Sequence, residues 1–184
     1  MDYMGRAETS GLLLLALHLA TMKVMMNGTG ALMLQSRPQT LSRHKCRIMG
    51  WGYEGKEFPD LVKDCADWGI TTVVDVRLTP WSHKPGFTKA HLSQWLGREG
   101  INYVHLKALG NPKANRSGFT SSSVSEQITA KRLYEKAMDN AESREALQYL
   151  ADLSSREPVL LLCFEKNEGQ CHRSVIKELL RRIA

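Results

Sequence analysis

The chain reads as an α/β protein, a mainly parallel sheet of four to five strands flanked by helices, preceded by a flexible N-terminal extension. Three observations carry that reading. From residue 46 onward, short apolar runs alternate with stretches of helical period, the pattern of βαβ units. Two of the runs, Ile70–Val76 and Val159–Cys163, are almost continuously apolar, as strands covered on both faces must be. The length of 184 residues, with 42% hydrophobic and 24% charged residues, suits one packed domain and rules out a disordered or fibrous chain.

The elements follow in order. Residues 1–45 contain an apolar run from Leu12 to Met26, broken by His18, Thr21 and Lys23, and then a Gly- and Pro-containing stretch without a period. They are expected to form an extension outside the α/β domain of residues 46–184. Arg47–Trp51 is a short strand that ends at the turn Gly52-Tyr53-Glu54-Gly55. A helix follows with Pro59 in its first turn and Phe58, Leu61, Val62, Cys65 and Trp68 on one face. Ile70–Val76 is a Val- and Thr-rich strand running into Asp75-Val76-Arg77. After a loop with Pro80 and Pro85-Gly86, Thr88 caps a helix that buries Leu92, Trp95 and Leu96. Ile101–Leu106 is a third strand, and Lys107–Ser125 reads as a long loop. Glu126–Leu153 is helical, as one helix or two, with Ile128, Leu133, Ala137, Leu147 and Leu150 expected in the core. Val159–Cys163 is the last strand, and a final helix starting near Cys171–Ser174 is expected to bury Val175, Ile176, Leu179, Leu180 and Ile183.

Several function classes drop out. The interrupted run near the N-terminus is shorter than the ~20 apolar residues of a membrane span, and Asp2, Arg6 and Glu8 do not give a signal peptide its basic start. Cys46, Cys65, Cys163 and Cys171 are too few and too irregular for a secreted disulfide framework and contain no C-x-x-C pair. They read as reduced thiols, and the expected location is the cytoplasm. The cysteine-to-arginine spacings do not fit the C-x-x-x-x-x-R loop of a phosphatase, and sulfur transfer from a cysteine in a strand-to-helix loop stands only as an analogy.

Open parallel sheets bind ligands beyond the carboxyl ends of their strands. That rule selects Tyr53, Glu54, Asp75, Arg77, His105, Cys163, Glu165, Cys171, His172 and Arg173. Cys171-His172-Arg173 opens the last helix, where unpaired N–H groups and Arg173 favour an anion and lower a thiol pKa. Cys171 is therefore the candidate nucleophile. His172 is a candidate base, although adjacent residues at a helix start need not point the same way. Asp75 and Glu165 read either as acid or base groups or as members of ion pairs with Arg77 or Arg173. His105 reads as a core histidine or a ligand, Cys163 as a small hydrophobe, and Trp81 as a ring that could stack on a substrate. A metal set of His105, Glu165, Cys171 and His172 matches no tetrahedral zinc spacing, so no metal ligand and no cofactor is assigned.

The blocks Gly52-Tyr53-Glu54-Gly55-Lys56, Asp75-Val76-Arg77 with Pro80, Ser82 and Pro85-Gly86-Phe87, Tyr103-Val104-His105-Leu106 with Leu109-Gly110-Asn111-Pro112, and Leu162-Cys163 with Glu165 and Cys171-His172-Arg173-Ser174 occur in this order. In them the chain resembles the domain of unknown function 488 family over about residues 48–183. The resemblance implies a small α/β domain, usually soluble and intracellular, whose motif residues look like an active site. Lys107 departs from the pattern where a proline is common, and Gly50-Trp51 replaces the usual Thr-Ile.

The function expected is an enzyme acting on a small anionic, phosphate-bearing or nucleotide-like substrate. Cys171, His172, Glu165 and Asp75 would carry the chemistry, with Arg77, Arg173, Tyr53, His105 and Ser82 binding. The alternative is a non-catalytic module that binds a nucleotide or nucleic acid through basic loops. The formal charge of +6 supports an anionic partner. Between Arg77 and Arg116 lie Arg77, Lys84, Lys89, Arg98, Lys107, Lys113 and Arg116 against Glu99 alone, so the basic excess concentrates after the second and third strands.

Overall fold

Strand β4 (Val159–Cys163) is buried at all five residues and occupies the inside of the sheet. The computed structural model describes residues 47–183. The proposed extension of residues 1–45 lies outside them. Four parallel strands run in the order β1 (Ile48–Gly52), β4, β2 (Thr72–Asp75) and β3 (Asn102–His105). The chain is thus α/β with a parallel sheet, as its alternation of runs predicts.

Side-chain alternation along β4 divides the interior in two. Leu160 and Leu162 face one cluster, with Val73, Trp51 and the buried residues of α1 (Phe58–Trp68) and α2 (Lys89–Arg98). Val159, Leu161 and Cys163 face the other, with Val74, Val76 and α4 (Val124–Ala137), α5 (Ala141–Arg156) and α6 (Arg173–Ile183). A fully buried leucine such as Leu160 or Leu161 contributes about 1.5–3 kcal/mol relative to an exposed one. The helix ends follow their residues. Glu57 and Asp60 form a capping box before α1, Gly69 ends it at φ 64°, and Thr88, Ser123 and Asn140 cap α2, α4 and α5.

The structure corrects several readings and decides one that the sequence left open. Residues 107–125 are not a bare loop, because Lys113–Phe119 forms the short helix α3. The stretch read as one or two helices is two, separated at Met138–Asn140. The buried face of α4 is Ala130 and Tyr134, followed by Met138, whereas Ile128 and Leu133 are 46% and 54% exposed and Ala137 is exposed too. The cause lies in α3 and the segment before it. Gly118 lets α3 press on Ala130, since a Cβ there would sit 2.8 Å from the Ala130 methyl, and the Tyr134 hydroxyl donates to the Leu109 carbonyl at 2.6 Å. These contacts fix the rotation of α4, and hydrophobicity alone does not. At the end of α6, Ile183 is likewise exposed rather than buried.

Strand register decides where the polar residues meet. Gly52 pairs with Cys163, Asp75 with Leu162, and Asp75 with His105, so the strands end level. The residues that follow β1, β4 and β2 therefore emerge at one edge, where a parallel sheet places its ligands.

Candidate functional site

The turn after β1 and the loop after β4 are laced together at that edge. Tyr53 N–H donates to the Cys163 carbonyl at 3.2 Å, Glu54 N–H to the Phe164 carbonyl at 2.9 Å, and Lys166 N–H to the Glu54 carboxylate at 2.9 Å. Gly52 makes this approach possible, because a Cβ at that position would lie 1.9 Å from the Glu165 carbonyl oxygen.

The loop then returns to the start of α6 and closes a cluster of four groups. Cys163 Sγ and Cys171 Sγ each lie 3.0 Å from Glu165 Oε2, and Cys171 Sγ lies 3.6 Å from His172 Nδ1. One ligating atom from each of Cys163, Glu165, Cys171 and His172 falls within 4.8 Å of all the others. His172 Nε2 is 2.9 Å from the Val76 carbonyl, which can only accept. Nε2 therefore carries a hydrogen, and Nδ1 is the nitrogen that shares a proton with Cys171. The neighbours Cys171 and His172 thus do meet, because the carbonyl at the end of β2 turns the ring. Arg173 is fully buried beneath the cluster. Its Nε donates to Cys171 Sγ at 3.3 Å and its Nη2 to the Glu165 carbonyl, while its Nη1 is buried without a hydrogen-bond partner.

These contacts shift the acids of the cluster in opposite directions. Burial alone would raise the Cys171 pKa, but the Cys163 thiol, the His172 ring and the Arg173 charge outweigh it, so the thiol lies well below its ordinary value. Cys163 moves the other way, because its S–H is held by the Cys171 sulfur and burial adds to the effect. Burial, and next the negative sulfur of Cys171, raise the Glu165 carboxyl. The cluster thus favours the thiolate at Cys171 and the protonated forms of Cys163 and Glu165. Cys65 offers an internal contrast, since burial in the core beneath α1 pushes its thiol up to about 12.

A cleft of about 230 Å³ opens over the cluster, walled by Cys163, Glu165, His172, Tyr53 and Arg77. Cys171 and Arg173, 1% and 0% exposed, lie behind this wall rather than in it. Asn111, Arg116, Trp81 and Phe164 line the cleft as well. Arg77 is held rather than free. Its Nε and Nη2 donate to Asp75 Oδ1 and Oδ2 at 2.9 and 2.6 Å, and its Nη1 donates to the Tyr53 hydroxyl and the Phe87 carbonyl at 3.1 and 2.8 Å. Burial works against the Arg77 charge, but the Asp75 carboxylate and Tyr53 outweigh it. Tyr103 donates a further hydrogen bond to Asp75 at 2.8 Å, and Asp75 has no exposed surface.

The remaining sequence candidates lie apart from the cleft. His105 Nε2 is 2.9 Å from the Arg77 carbonyl, and the Ser82 hydroxyl accepts from Lys84 N–H at 3.0 Å, which makes it a turn-forming group. Neither lines the cleft. The sequence reading placed Cys163 among the strand-end residues but took it as a small hydrophobe, and it did not count Asn111 or Arg116 among the site residues. Arg116 was hidden by reading α3 as loop.

Residues 59–180 match the family described as Domain of unknown function DUF488. The chain belongs to that family. The match includes every member of the cluster and the Asp75–Arg77 pair, and leaves out Tyr53. No curated protein and no solved structure matches this DUF488 member. Among the described residues, no helix is long and apolar enough to cross a membrane.

Proposed function

We propose that this DUF488 protein is a cysteine-dependent enzyme acting on a small anionic substrate held in the cleft. The observation that supports the reading most is the contact of one buried sulfur, Cys171 Sγ, with a proton-sharing imidazole at 3.6 Å and a guanidinium N–H at 3.3 Å. A thiolate in that setting is a nucleophile with its charge already compensated. Its electron pair forms the bond to the electrophilic centre of the substrate. The bond to the leaving group breaks, and the proton on the Glu165 carboxyl goes to that group. Cys171 is reached only past Cys163 and Glu165, so attack requires the half-buried Glu165 side chain to turn toward the cleft, where the leaving group would meet it.

Arg116 lines the cleft and is exposed, its Nε donating to the Asn111 carbonyl at 3.1 Å, and it is the charge best placed to receive an anion. Arg77 and Asp75 contribute shape instead. Their mutual pairing fixes the Tyr53 hydroxyl and the Phe87 segment, so Asp75 takes a positioning role rather than a proton-transfer one. A screen of phosphate esters, nucleotides and other small anions against wild type, Cys171→Ala and Arg116→Ala tests the reading. The expected result is turnover that Cys171→Ala abolishes and that Arg116→Ala retains at a raised KM. Full turnover in Cys171→Ala would exclude the thiol mechanism.

A further inference from the structure

The same four side chains have the donor chemistry of a metal centre, and the sequence expectation of no metal ligand considered a different set, with His105 in the place that Cys163 takes. We infer that Cys163, Glu165, Cys171 and His172 bind one soft divalent cation of the zinc class in tetrahedral coordination. The inference does not depend on Cys171 acting as a nucleophile. It concerns the metal-loaded form, in which both sulfur electron pairs belong to the ion and thiol attack is switched off.

The geometry carries the inference. Zinc bond lengths of about 2.3 Å to sulfur and 2.0–2.2 Å to nitrogen and oxygen put tetrahedral ligand atoms roughly 3.4–3.8 Å apart. Here the two sulfurs lie 3.0 Å from Glu165 Oε2, and Cys171 Sγ lies 3.6 Å from His172 Nδ1. A displacement of the Glu165 carboxylate by less than about 1 Å brings its two sulfur contacts into that range, and every other pair of ligand atoms lies within 4.8 Å. Two thiolates and one imidazole select zinc-like ions over magnesium or calcium.

The surroundings fit as well. His172 donates its Nε2 hydrogen to the Val76 carbonyl at 2.9 Å, which leaves Nδ1 as the ligating atom and fixes the ring, the usual arrangement around a metal-bound histidine. Arg173 Nε donates to Cys171 Sγ at 3.3 Å, and Arg173 is fully buried. Two thiolates, a carboxylate and a dication sum to one negative charge, which the Arg173 guanidinium offsets. The cleft reaches the centre from the Cys163, Glu165 and His172 side, which supplies an entry path. Ligands drawn from a strand end and a helix start eight residues apart explain why no familiar zinc spacing is visible in the sequence.

The test uses the reduced, chelator-treated full-length protein titrated with Co²⁺ and followed by absorbance, then competed with Zn²⁺. The expected result is one Co²⁺ per chain, with the visible bands of tetrahedral cobalt and near-ultraviolet charge transfer from two thiolates. Cys163→Ser should lose about half of that charge transfer, and His172→Ala should weaken binding by at least tenfold, in line with the 10–100-fold lost when supporting groups of metal sites are removed. Cys65→Ala, which alters a core thiol outside the cluster, should match wild type, and circular dichroism checks the folding of each variant. Octahedral cobalt bands, substoichiometric binding, or unchanged charge transfer in folded Cys163→Ser would overturn the inference.

Discussion

Asp75 has no exposed surface and accepts from Arg77 through both of its oxygens and from Tyr103 as well, so its place in the molecule is set by pairing. Removing one partner of a buried ion pair strands the other charge, which costs about 3–5 kcal/mol. Asp75→Leu should lose stability on that scale in urea unfolding, and adding Arg77→Met should recover a large part of it. A loss below about 1 kcal/mol in the single variant would mean that water reaches the Arg77 charge. Residue chemistry was legible in the sequence wherever it depended on position along one segment. The Cys171-His172-Arg173 helix start is visible that way. Cys163 was visible at the same strand ends but its role was not, because a cysteine ending an apolar strand has the same sequence signature whether it packs or reacts, and its contact with Glu165 exists only in the folded chain. The sequence left Asp75 between acid or base and ion pair, and its hydrogen bonds with Arg77 and Tyr103 are contacts that only the folded chain shows.

At the level of elements, α1 is clamped to β1 through Asp64, which accepts from Trp51 Nε1 at 2.7 Å and from Lys56 Nζ at 2.8 Å. The Lys56 hydrogen bond, and next the Trp51 one, hold the Asp64 carboxyl below its ordinary 3.8. A carboxyl lowered in the folded state contributes stability above its unfolded pKa and loses it as pH falls through the folded value. Asp64→Asn should therefore destabilise the protein by about 1 kcal/mol at neutral pH, with the gap to wild type closing as the pH drops below about 4. A gap that stays constant with pH would show that the clamp does not depend on the Asp64 charge. Gly52→Ala tests a different joint. The added methyl would meet the Glu165 carbonyl at 1.9 Å, so the loop must shift, with a stability cost of about 1–3 kcal/mol and weakened Co²⁺ binding. Unchanged binding in this variant would separate the Glu165 loop from the metal centre. The strands and their parallel pairing were legible because buried parallel strands write continuous apolar runs. The rotation of α4 was not, because Gly118 against Ala130 and Tyr134 against Leu109 are contacts between segments.

Over the whole molecule, the basic stretch from Arg77 to Arg116 proves less uniform than its sum. Arg77 is neutralised by Asp75, and Lys84 lies 3.1 Å from Glu57, which leaves Arg116 as the cation of that stretch lining the cleft without an ion-pair partner among the described residues. Protection of the protein by inorganic phosphate in thermal unfolding should accordingly weaken in Arg116→Ala and persist in Lys89→Ala. Equal protection in both variants would assign the effect to general charge rather than to the cleft. The sheet gathers its reactive groups at one edge because three strands end level there and one helix starts there, and the account turns on what that edge does to a single sulfur. The most direct measurement is the ultraviolet thiolate absorbance of reduced, metal-free protein as a function of pH, in wild type, Cys171→Ser and Cys65→Ala. One thiolate should be present at neutral pH in wild type and Cys65→Ala and absent in Cys171→Ser. Thiolate absorbance that appears in wild type only as the pH approaches the ordinary thiol value of 9.0 would contradict the account.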